Sequence, residues 1–139
     1  DRVSEMLADL YPNGRFIFVV RNPVDVVASK ISARMSEGVR TDAHSWVEQN
    51  RHFLEFYRLN KESSRIVRYE NLIDPNGPEL EQLFHWLRFS LTDKQKQIIE
   101  ITKPKYHGRP RPARLADDQI SEINKITEEL RKELDQLPS

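Results

Sequence analysis

The 139-residue chain contains no cysteine. This removes disulfides, thiolate metal sites and a cysteine nucleophile, but fixes no compartment, because cysteine-free chains occur in all of them. Net charge is also missing: 22 Lys and Arg balance 22 Asp and Glu. Bulk electrostatics therefore favours neither nucleic acid nor an acidic surface as a partner. No apolar run approaches the roughly 20 residues that span a bilayer, and no signal-peptide pattern is present. The compartment stays open, with the cytoplasm favoured. No internal repeat or composition break divides the chain, so its length fits one domain, residues 1–139. It starts at Asp1 rather than methionine and already within a helical pattern, as expected of an excerpt from a longer protein.

What is present centres on Arg15 to Lys30, RFIFVVRNPVDVVASK. Phe16-Ile17-Phe18-Val19-Val20 has the length and the β-branched and aromatic content of a strand buried on both faces. Arg21 places a charge at its carboxyl end. Asn22-Pro23 reads as an N-cap followed by proline at the first helical position, with Asp25 in the positive first turn. Val24, Val27, Ala28, Ile31 and Met35 then recur at helical spacing. The unit is strand, tight turn, helix, and in open α/β sheets such a turn faces ligands with helix N–H groups.

Two polar residues in this unit are placed for an anion. Arg21 ends the strand, and Ser29 lies about two helical turns beyond it; Asp25, Ser29, Ser32 and Ser36 share a face distinct from the apolar one. A guanidinium fork suits phosphate, and a hydroxyl adds a donor. The spacing alone equally allows Arg21 to be a strand-end member of a surface ion pair and Ser29 an ordinary helix residue.

Around this unit the chain is helical. Val3, Met6, Leu7 and Leu10 predict an amphipathic helix over Arg2 to Tyr11, stopped by Pro12-Asn13-Gly14. Glu37 to Asp42 reads as a loop, with Thr41 or Asp42 capping a helix from about Ala43 to Asn60 lined by Trp46, Asn50, Phe53, Leu54 and Tyr57. His44 and His52 fall on it and are read as structural. Ser64 to Tyr69 is a second strand. Its helical connection of about forty residues suits parallel pairing rather than a hairpin. Asp74 to Pro78 is a turn, Leu80, Leu83, Phe84 and Leu87 mark a helix, and Thr92 with Gln95 opens another through Ile101. Lys103 to Arg114, KPKYHGRPRPAR, holds five basic residues and three prolines and is expected as an extended basic loop. Asp117 to Leu137 carries Ile120, Ile123, Thr127, Leu130 and Leu134 on one face of a last helix. Two strands and about six helices result.

VVRNPVDVVASK resembles the 3′-phosphate-binding motif of sulfotransferases that use 3′-phosphoadenosine 5′-phosphosulfate: strand, Arg, Asn or Asp, Pro, then Ser in the helix that follows. RIVRYENLIDPNGPELEQLFHWLRF, Arg65 to Phe89, resembles that family's strand ending in Tyr-Glu-Asp-Leu and its next helix, with Asn71 in place of the Asp. The resemblance implies an α/β, P-loop NTPase-like parallel sheet with flanking helices, present only in part. It implies that Arg21 and Ser29 hold the 3′-phosphate and that Tyr69 lies beside the adenine. Gly108 and Arg109 would match a basic C-terminal segment that closes over the nucleotide, although the family's Arg-Lys-Gly order is not kept.

The implied co-substrate is 3′-phosphoadenosine 5′-phosphosulfate, the product adenosine 3′,5′-bisphosphate, and the acceptor an unidentified hydroxyl or amine. No glycine-rich phosphate loop with its lysine occurs in these residues, and no residue is assigned as catalytic. The expectation is a chain inactive by itself, with further strands coming from a preceding segment or from self-association. Nucleic acid and metal are not expected. A kinase-like P-loop protein and a non-catalytic helical interaction module remain as alternatives.

Overall fold

A computed structural model describes residues 2–138 of the chain; Asp1 and Ser139, the two ends of the expected domain, lie outside the described residues. The elements follow in the order α1 (Arg2–Leu10), β1 (Phe16–Val20), α2 (Pro23–Ser32), α3 (Val39–Leu59), β2 (Ser64–Arg68), α4 (Tyr69–Leu72), α5 (Glu79–Trp86), α6 (Asp93–Tyr106) and α7 (Asp117–Asp135). The two strands pair in parallel, Phe16 opposite Ser64 and Val20 opposite Arg68. That is the arrangement expected of strands joined through a long helical crossover. It makes a mixed α/β domain with a two-stranded parallel sheet.

The core lies on one face of this sheet. Val20 packs with Trp46, Leu54 and Tyr57 of α3 and with Leu130 and Leu134 of α7. Phe18 stacks on Phe53, with ring centroids 4.6 Å apart, and meets Phe56 edge-on at 5.3 Å. A second cluster joins Val24, Val27 and Ala28 of α2 to Ala43, Leu115 and Ile123. Each fully buried aliphatic side chain here contributes about 1.5–3 kcal/mol. The stripe read along the last helix is therefore the one that seats it: Ile123, Thr127, Leu130 and Leu134 are all buried. Thr127 satisfies its hydroxyl by donating to the Ile123 carbonyl at 2.9 Å. At the edges of this packing Glu133 of α7 accepts from Arg51 and Arg58 of α3, at 3.3 and 2.9 Å.

Five expectations are corrected. The first strand is buried on one face only, for Val19 is 48% exposed; α3 and α7 cover the Phe18 and Val20 side, and Val19 points away from them. The apolar residues Met6, Leu7 and Leu10 of α1 are exposed, whereas Ser4 and Ala8 line a hollow shared with Phe56 and Leu59. The helix therefore presents its small residues to α3. The helix after Arg21 stops at Ser32, with Arg34 in the left-handed region at φ 57, so Met35 and Ser36 do not extend its faces.

The next helix begins at Val39, four residues before the expected start, with Gly38 at its N-cap at φ 114. Neither Thr41 nor Asp42 caps it. Asp42 is buried and accepts from Lys30 Nζ at 3.0 Å and from the Ser36 hydroxyl, which turns a supposed cap into a pin for the α2–α3 connection. Burial pushes the Asp42 carboxyl up. The hydrogen bonds from Ser36 and Lys30, the Lys30 charge and a backbone bond at Glu37 outweigh it and leave the group below its ordinary value.

Finally, α6 continues through Pro104 to Tyr106, so the expected loop from Lys103 to Arg114 is extended only from His107 onward. Proline removes one N–H and one intrahelical bond, and here it falls within the last turn, where little helix remains to disrupt. Lys103 is buried rather than solvated: its Nζ donates to the Gly77 carbonyl at 3.2 Å and lies 3.5 Å from Glu81. The capping box predicted at Thr92 and Gln95 opens this helix. Seven helices occur among the described residues, α4 being a single turn.

Candidate functional site

Arg21 leaves the carboxyl end of β1 and is held from three sides. Its backbone carbonyl accepts from the indole Nε1 of buried Trp46 at 3.0 Å. Its Nη1 donates to the Ser29 hydroxyl at 3.2 Å, one and a half helical turns into α2. Its guanidinium lies over the Tyr69 ring, 4.9 Å from the centroid, a contact an aromatic face favours. The Nε of Arg21 is buried and has no hydrogen-bond partner. A buried donor left unmade costs about 1–3 kcal/mol, so this nitrogen holds donor capacity that the fold itself does not use.

The turn beside it is equally determined. The Asn22 side chain accepts from the Val24 N–H at 2.9 Å, capping α2 as its sequence predicts. The Asn22 N–H in turn donates to Glu70 Oε1 at 2.7 Å. This bond joins the turn after β1 to the first turn of α4, and brings Tyr69 alongside Arg21 although 48 residues separate them.

These groups open on a cleft of about 460 Å³, lined on one side by Arg21, Asp25, Tyr69 and Glu70 and on the other by residues 106–112. Its size is that of a small-molecule site. Gly108 adopts φ +68, with no atom within 4 Å of where a Cβ would stand; the glycine is there for its backbone turn, not for lack of room. Arg109 donates from Nε to the Lys105 carbonyl and lies over the Tyr106 ring at 4.4 Å. Arg111 reaches across and pairs with Asp25, Nε to Oδ1 2.6 Å. Three arginines thus face two carboxylates around the cleft, an excess of one positive charge.

The structure therefore gathers the sequence-predicted residues into one place. Arg21, Tyr69, Gly108 and Arg109 line the cleft, and Ser29 is bonded to Arg21. His44 and His52 do not line it. Four contributors escaped the sequence reading. The helical pattern marks Trp46 only as a lining residue of its helix, Glu70 stands in its motif without a role, and Tyr106 falls in the expected extended basic loop. The pairing of Asp25 with Arg111 spans 86 residues, and no local pattern announces it. Among the described residues no cluster of His, Cys, Asp and Glu is arranged to hold a metal, and no helix is long and apolar enough to cross a membrane.

A parallel sheet that ends in an arginine, with a helix N-terminus and a basic cleft at that end, defines an α/β domain with its site at the carboxyl edge of the strands. The model of the sulfotransferase family matches residues 3–93, more than half of the chain, and the chain belongs to that family. No curated protein matches the chain. The matched stretch contains Arg21, Ser29 and Tyr69, whereas Gly108, Arg109 and Arg111 lie beyond it.

Proposed function

We propose that this domain binds 3′-phosphoadenosine 5′-phosphosulfate, with Arg21 and Ser29 on its 3′-phosphate, Tyr69 beside the adenine, and Gly108 and Arg109 closing the cleft. One observation carries this reading: the Arg21 guanidinium, held by Ser29 and Tyr69 on a main chain tied to Trp46, keeps a buried Nε without a partner beside a cleft of about 460 Å³. A forked, always-charged donor set held in place before the ligand arrives suits a phosphate. The bound co-substrate supplies the sulfuryl group, which passes to a hydroxyl or amine, and adenosine 3′,5′-bisphosphate remains. In this reading the sheet is a part of a P-loop NTPase-like sheet. Further chain or a second copy covers Val19 and the exposed stripe of α1, and the domain works in the cytoplasm.

The residues here serve binding rather than bond breaking. Sulfuryl transfer needs donors for the charge that develops on the leaving phosphate oxygen and a base for the acceptor's proton. The arginines of the cleft are assigned to the other phosphate, so none of them receives a catalytic role. The test is calorimetric titration with adenosine 3′,5′-bisphosphate. Arg21→Ala is expected to weaken binding by about 1.5–3 kcal/mol and Ser29→Ala by about 0.5–1.5 kcal/mol, with AMP and ATP bound more weakly than the bisphosphate by the unaltered chain. Equal affinity for AMP and the bisphosphate, or an Arg21→Ala chain that binds like the unaltered one, refutes the assignment.

A further inference from the structure

The cleft has a member that the sulfotransferase motif does not account for. Asp25 lies in the first turn of α2, close to where an anion would meet Arg21, and an unpaired carboxylate there repels such a ligand. It is not unpaired: Arg111 bonds it through Nε at 2.6 Å. Arg111 belongs to the extended stretch after α6, whose residues 107–112 line the cleft opposite Arg21 and Tyr69. Only the Nε of Arg111 is engaged in this pair, so its two terminal nitrogens remain as donors. Asp25 is thus placed to do two things at once, to fasten the 107–112 segment across the cleft and to orient a third guanidinium into it.

We infer that Asp25 is a positioning residue for nucleotide binding, acting through Arg111, and that the Asp25–Arg111 pair is the strap that holds residues 107–112 over the site. This deepens the nucleotide reading and rests on it for its binding arm, but the strap itself can be measured without ligand. The pair is partly exposed, 43% for Arg111 and 27% for Asp25, so solvent screens it, and its effect on local order is modest. An exposed pair of this kind corresponds to roughly a two- to fivefold change in an opening equilibrium.

The experiment compares the unaltered chain, Asp25→Asn, Arg111→Ala and the double variant in two assays. In hydrogen exchange without ligand, amides of 107–113 are expected to exchange about two- to fivefold faster in each single variant, and no faster again in the double. In titration with adenosine 3′,5′-bisphosphate, Arg111→Ala is expected to bind about tenfold more weakly, since it removes a donor and also strands a carboxylate beside the phosphate. Adding Asp25→Asn to that variant should then recover affinity severalfold. Recovery in the double variant sets positioning and charge balance apart from a general loss of structure, because damage to the fold would add rather than cancel. Unchanged exchange in both single variants overturns the strap. A double variant that binds worse than Arg111→Ala overturns the positioning role. If no chain binds the bisphosphate while exchange still responds as expected, the nucleotide reading fails and the strap stands.

Discussion

Replacing Trp46 by Phe separates what holds Arg21 in place from what Arg21 does. Trp46 is 4% exposed and sits in the cluster with Val20, Leu54 and Leu130, while its indole N–H is the donor to the Arg21 carbonyl. Phenylalanine keeps an aromatic ring in the core but deletes that donor and leaves space beside α7. The lost bond strands a strand-end carbonyl, worth about 1–2 kcal/mol, and the cavity adds roughly 1 kcal/mol if the site collapses only in part. A total near 2–3 kcal/mol is expected in urea unfolding at pH 7, with the m-value unchanged. The same variant should also bind adenosine 3′,5′-bisphosphate more weakly, because the main chain that carries the guanidinium is no longer tied to α3. Trp46→Leu loses the same donor and more of the ring, so it must be at least as destabilised. Should Trp46→Phe unfold within about 0.5 kcal/mol of the unaltered chain, the bond to Arg21 contributes nothing and the site is not braced from the core.

Two further outcomes follow from single features. The folded-state value of Asp42 is depressed, so its contribution is present above the ordinary carboxylate value near 4 and is lost as pH falls through the folded value; the acid limb of stability against pH should flatten in Asp42→Asn, which at pH 7 costs about 2 kcal/mol because Lys30 loses its buried partner but reaches water. The chain of residues 1–139 by itself is expected to show no turnover with 3′-phosphoadenosine 5′-phosphosulfate across a broad acceptor panel, since its sequence carries no glycine-rich loop for the phosphosulfate end and losing even one such donor typically costs a hundredfold or more; ordinary turnover in that assay would place the chemistry among residues left unassigned.

The parts legible in the sequence are those whose cause is local. Asn22-Pro23 announces the start of α2 because cap and first-turn geometry depend on neighbouring residues alone. Thr92 and Gln95 announce α6 for the same reason, and the stripe from Ile123 to Leu134 announces the seat of α7 because one periodicity decides it. The parts that escaped depend on partners far along the chain. Asp42 looks like a cap until Lys30 and Ser36 are brought to it. Lys103 looks like a loop residue until the Gly77 carbonyl accepts its proton. Pro104 reads as a breaker, but in the last turn of α6 it costs one intrahelical bond and leaves little helix beyond it to disrupt. At the site itself, spacing leaves Arg21 and Ser29 open between an anion site and a structural role, and it is the resemblance that singles out these two and Tyr69. Their meeting required the 48-residue link from Asn22 to Glu70.

That link also bears on why the cleft should take an anion although two carboxylates line it. A carboxylate repels phosphate only as far as its charge is unanswered. Asp25 is answered by Arg111, while Glu70 keeps its charge and accepts the Asn22 N–H, so both acids hold the walls together and the three arginines still leave one positive charge in excess. The arginines are not spent to the same degree. Arg111 and Arg109 each use only Nε in a hydrogen bond, and Arg21 uses only Nη1 while its buried Nε has no partner. Donor capacity without acceptors, on three guanidiniums around one opening, is the complement of a group with several acceptor oxygens and no protons to give. Phosphate is such a group. In the proposed reading the acids act as the frame and the arginines as the contact surface, and removing a frame acid is expected to loosen the cleft while adenosine 3′,5′-bisphosphate still binds more tightly than AMP.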